Sequence, residues 1–142
     1  MTIKKLLVSM LAVFMVFVFV GFASADSNVI TMDKGPEYTV GLDFPSFGWA
    51  NYDENDQLIG YRGFNLGLGY SQKTYFSPAE YDNFNPYWGW GTVIALWPYV
   101  NVGADYIIPV GDDDSGQYFS FGGTVGMVIP FPYASIGLSF AW

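Results

Sequence analysis

Past residue 25, hydrophobic and polar positions alternate with a period of two, the repeat that sends successive side chains to opposite faces of a β-strand. Phe64, Leu66, Leu68 and Tyr70 oppose Asn65, Gly67, Gly69, Ser71 and Lys73. Val100, Val102, Ala104, Tyr106, Ile108 and Val110 oppose Asn101, Gly103 and Asp105. The pattern returns with Phe119, Phe121, Val125, Met127 and Ile129 against Ser120, Gly122, Thr124 and Gly126. It closes with Ala134, Ile136, Leu138, Phe140 and Trp142 against Tyr133, Ser135, Gly137, Ser139 and Ala141. Nearer the start, Tyr38, Val40, Leu42 and Phe44 oppose Thr39, Gly41 and Asp43, while Trp88 to Trp97 is apolar on both faces. The expected class is all-β.

The second face decides between architectures. A soluble sheet fills it with charged residues and Thr; here it holds Gly, Ser, Thr and Asn with occasional charges. Recurrent strand glycine points to backbones that curve tightly or approach closely. Small polar side chains inside and an apolar band outside describe a small antiparallel up-and-down transmembrane β-barrel. The visible segments run over 37–49, 58–76, 88–97, 99–110, 117–129 and 131–142. Single-chain barrels begin at about eight strands, so eight are expected, with the extra strands supplied by residues 27–34 or by division of a longer segment. Pro45 sits poorly inside a strand and predicts a bulge or an earlier strand end. Alternating turns place the longest connection, Ser77 to Pro86, at the same end as the C-terminus, where short turns are the norm.

The first 25 residues read as a secretory signal peptide: Lys4 and Lys5, an apolar run from Leu6 to Phe22, then Ala23-Ser24-Ala25 for cleavage. Residues 26–142 form one domain, in which Lys34, Arg62 and Lys73 face thirteen acids, a net charge of 3 − 13 = −10. That balance excludes a nucleic-acid partner, which requires a basic face. With no cysteine and no histidine, disulfides, thiolate catalysis, Ser-His hydrolysis and Cys- or His-ligated metals drop out. No cofactor and no catalytic residue is expected. Phe, Trp and Tyr make up 20% of the chain, many near predicted strand ends, where aromatic rings anchor at a membrane–water boundary.

The ending carries a resemblance. Ser135, Gly137, Phe140 and Trp142 resemble the C-terminal β-signal of bacterial outer-membrane β-barrel proteins: a polar residue, glycine two on, hydrophobic or aromatic residues three and five after it. The resemblance implies an outer-membrane location, lipid contact and reading of the last strand by the barrel assembly machinery.

Four stretches are candidates for chemistry. Asp112-Asp113-Asp114-Ser115-Gly116 invites a calcium reading but has the composition of a hairpin turn, and Asp53-Glu54-Asn55-Asp56 lacks the glycine and final glutamate of a calcium loop. Asp43, Lys73 and Asp105 share the predicted interior face; they either pair inside the barrel or sit separately near strand ends in water. Tyr81, Tyr87, Trp88 and Trp90 offer either a ligand-stacking platform or interface anchors. The expected role is a non-enzymatic outer-membrane barrel, structural or acting through surface loops, alone or as a homo-oligomer. The alternatives are a secreted soluble β-sandwich that binds carbohydrate or another surface ligand through the aromatic loop, and a lipid-modifying enzyme for which no nucleophile–base pair is visible.

Overall fold

The computed structural model describes residues 28–112 and 114–142; the predicted signal peptide lies outside the described residues. Among these, eight strands form one closed antiparallel barrel in chain order: β1 (Tyr38–Gly41), β2 (Phe47–Tyr52), β3 (Leu58–Asn65), β4 (Gly69–Tyr75), β5 (Phe84–Val93), β6 (Trp97–Pro109), β7 (Tyr118–Val128) and β8 (Phe131–Ala141). One sheet closed on itself replaces the two packed sheets of a sandwich. The two missing strands come from division of long segments: 37–49 breaks at Leu42–Ser46 into β1 and β2, with Pro45 in the turn, and 58–76 breaks at Leu66–Leu68 into β3 and β4. Of the predicted stretch 27–34, the described residues 28–34 add no strand, although Val29 and Thr31 form single bridges to Glu80 and Gln57.

A path perpendicular to the strands fixes the barrel's geometry. It runs Phe131, Val128, Tyr99, Gly91, Ser71, Gly63, Gly48, Thr39 and back to β8 at Ala141. The return is ten residues along β8 from the departure (141 − 131). With ~3.3 Å per residue and ~4.8 Å between strands, that stagger tilts the strands by about 40°. Strands of 11 residues such as β7 and β8 then rise about 28 Å, close to the height of a lipid-facing band.

The two ends differ. The connections 53–57, 76–83 and 110–117 lie at one end with the barrel termini, the start of β1 and the end of β8; 42–46, 66–68, 94–96 and 129–130 lie at the other. At the first end, residues 28–32 run between two connections: Ile30 donates to the Ala79 carbonyl (2.9 Å), Leu58 to the Ile30 carbonyl (2.9 Å) and Tyr81 to the Asn28 carbonyl (2.9 Å). Ile30, Leu58, Ala79, Ile107, Tyr61, Tyr75 and Tyr118 pack there into a buried core that closes the lumen. Trp142 is held by Tyr38, each residue donating its N–H to the other's carbonyl at 3.0 Å.

At the opposite end β1 is too short to cover β8. The contact from the Leu42 N–H to the Leu138 carbonyl (2.8 Å) is the last between them. Above it β8 has no neighbour on that side among the described residues, which leaves a notch in the wall. Backbone groups alternate direction along an antiparallel strand, so Pro132, Ala134 and Ile136 face the notch as Leu138 faces β1. Proline has no N–H to leave unpaired there.

Candidate functional site

The lumen is the most elaborated region. Midway, the Lys73 ammonium on β4 pairs with Asp43 from the β1–β2 turn and, at 2.7 Å, with Asp105 on β6. All three are buried, Lys73 at 4% exposure. A buried charge is costly unless compensated, and compensation here is dense. Tyr75 donates its hydroxyl to Asp105 at 3.1 Å, Asp43 accepts the Phe44 N–H at 2.8 Å, and the ammonium sits 4.2 Å from the Tyr87 ring centre. Cation–π attraction at a desolvated site contributes up to about 2 kcal/mol. The three charges that shared a face in the sequence therefore meet, and none of them sits separately in water.

Room for Asp43 comes from a glycine. A Cβ at Gly137 would lie 2.8 Å from the Asp43 carboxyl carbon. The same residue fills the glycine position of the β-signal pattern, so here it has a packing role of its own. Gly137→Ala should push Asp43 off Lys73 and lower stability by about 1–3 kcal/mol, read as a reduced urea midpoint in detergent; an unchanged midpoint would show that Asp43 moves aside freely.

On the side of the short turns the lumen is neutral and polar. Asn65 donates to Ser71 Oγ and to the Thr92 carbonyl, both at 2.9 Å, and Tyr99 donates to Ser71 Oγ at 2.6 Å. Phe44, predicted to face outward, turns in with its loop and packs on Tyr99, ring centres 5.3 Å apart. Asn101 donates to Tyr133 Oη (3.0 Å), while its buried Oδ1 has no partner among the described residues. Side chains thus occupy the lumen at each level, as the width of an eight-stranded barrel allows.

The predicted aromatic platform is dispersed. Tyr87 is buried in the lumen, Trp88 and Trp90 stand on the outer wall, and Tyr81 packs edge-on against Tyr118 at the closed end (6.1 Å). Burial there raises the Tyr81 hydroxyl above the ordinary tyrosine value. Of the four residues that resemble a β-signal, Ser135 borders the notch, Gly137 lines the lumen, and Phe140 and Trp142 stack outside at 6.0 Å. Comparison with protein-family models, curated proteins and solved structures finds no match. The acidic turns gather no metal-ligand cluster among the described residues; Asp114 instead pairs with Lys34 at 2.6 Å.

The outer surface carries what the sequence reading missed. Asp53, Glu54, Asp56, Glu80, Asp82, Asp112 and Asp114 all fall on the three connections beside the termini. Three of the four opposite turns, Leu66-Gly67-Leu68, Ile94-Ala95-Leu96 and Ile129-Pro130, contain no polar side chain. Between the ends the wall is apolar and aromatic, with Arg62 its exposed charge among the described residues. Arg62 stands between Trp49 and Gln72 on neighbouring strands and borders an open groove of about 700 Å³ shared with Tyr38, Tyr70 and Glu37.

Proposed function

We propose that this chain is a small, non-enzymatic β-barrel of the bacterial outer membrane, structural in role and contacting water-soluble partners through the acidic end. The observation that carries this reading is the continuous apolar wall. Phe64, Trp88, Trp90, Val100, Phe119, Phe121 and Leu138, spread over five strands, all stand exposed. Water would penalise that surface by roughly 25 cal/mol per Å², whereas hydrocarbon accepts it. Arg62 fits an interfacial level, where its long stem lies on apolar surface and its guanidinium reaches the headgroups.

A non-enzymatic role is favoured by the interior. Its charged groups, Asp43, Lys73 and Asp105, are buried and engaged with one another. The β-signal-like ending supports recognition by the assembly machinery, since β8 keeps an open edge beside Ser135. One observation favours a second reading, an exported water-soluble barrel: Ala134 and Ile136 leave backbone groups facing the notch, a cost of several kcal/mol each if hydrocarbon surrounds them.

Heat modifiability separates the two. The expected result is recovery in the outer-membrane fraction, with an unboiled band in SDS whose mobility shifts on boiling. Recovery in the soluble fraction with no heat-dependent shift would overturn the membrane reading in favour of the soluble barrel.

A further inference from the structure

A barrel that spans a bilayer and emerges on both sides presents polar turns at both ends. Here the end opposite the termini ends in Leu42, Leu66, Leu68, Ile94, Leu96 and Phe131. Leu68, Leu96 and Phe131 are 80%, 83% and 67% exposed, and the only charged side chain on these turns, Asp43, points into the lumen. The tips also form one surface: the Ile94 N–H donates to the Gly67 carbonyl at 2.6 Å, tying the β3–β4 and β5–β6 turns together. An exposed apolar cap of this kind, at the head of a wall that is itself apolar, marks an interaction surface.

We propose that this cap lies within the lipid bilayer, so that the barrel is one-sided: the acidic end alone stands in water, and the apolar turns stop inside the membrane or at its far boundary. The inference rests on the membrane reading above and adds the depth and direction of insertion. The occupant is lipid because cap and wall are continuous apolar surface, and because, Arg62 on the wall apart, the exposed charges among the described residues gather at the other end. The height of about 28 Å brings the cap to the far edge of a hydrocarbon core about 30 Å thick. In an outer membrane, where the termini lie on the periplasmic side, the acidic connections would face the periplasm. Partners would then meet this barrel from inside the cell envelope rather than at the cell surface.

The absence of native cysteine makes the test direct. Single variants Leu68→Cys and Leu96→Cys at the cap, and Asn55→Cys in an acidic-end connection, are made in the full chain and reconstituted into phosphatidylethanolamine/phosphatidylglycerol vesicles. Folding is checked by the heat-dependent shift, and two cap positions guard against one variant failing to fold. A membrane-impermeant maleimide is added outside and, after freeze–thaw opening, to both faces. The expected result is at least about tenfold slower labelling at 68 and 96 than at 55 under both conditions. A fluorophore attached at 68 or 96 should also be quenched by doxyl-labelled acyl chains. Rapid labelling at the cap in opened vesicles, with the protein still floating with lipid, would overturn the one-sided insertion alone. Failure of every variant and the parent chain to float would overturn the membrane reading and this inference with it.

Discussion

Replacing Lys73 by methionine is expected to cost the barrel about 3–5 kcal/mol, because removal of one partner leaves two buried carboxylates uncompensated. Asp43 and Asp105 approach the same ammonium from a turn and from β6, so without it the two buried carboxylates repel each other. Methionine keeps the length and apolar stem, which separates charge loss from cavity formation. The check is the urea midpoint in detergent micelles. The variant combining Lys73→Met with Asp43→Asn and Asp105→Asn should recover most of the loss, since neutral groups need no counter-charge. A Lys73→Met loss below about 1 kcal/mol would mean that the carboxylates are hydrated and the cluster is no structural centre.

The second large effect is expected at the closed end. Ile30 is 1% exposed and packs among Leu58, Ala79 and Ile107. Truncation to alanine should remove about 2–5 kcal/mol, the usual range for a buried aliphatic residue. Part of the effect should be local, because residues 28–32 hold the closure through the few backbone bonds to Asp56, Leu58 and Ala79. Limited proteolysis provides the second readout: cleavage within residues 28–37 should appear in Ile30→Ala before the strands are cut. Simultaneous loss of the whole barrel would instead show that the closure and the sheet unfold as one unit.

Why the strand count was hard to read is visible in particular turns. The Ile94-Ala95 turn takes positive φ at both residues, 52° and 56°, the pairing of a type I′ hairpin that sequences normally mark with Asn-Gly. Leu68 likewise has φ 58° in place of glycine. An apolar turn continues the hydrophobic run, so β3 and β4 merged into one segment and Trp88 to Trp97 lost its orientation. The acidic connections, rich in Asp, Ser and Gly, followed ordinary turn chemistry and were legible. The apolar cap was in plain sight as Leu66-Gly67-Leu68, Ile94-Ala95-Leu96 and Ile129-Pro130, yet only known turn positions turn those runs into one surface.

By itself the sequence determined the all-β class and the inward and outward faces of β6, β7 and β8, because a period of two is a local property of the backbone. It also determined that Asp43, Lys73 and Asp105 share the interior. What the tertiary structure decided depends on stagger and closure: that ten residues of shear bring a turn carboxylate, a β4 ammonium and a β6 carboxylate to one level, that Phe44 turns inward, and that the apolar turns gather at one end. Those are relations between strands far apart in the chain, fixed by register rather than by any local pattern.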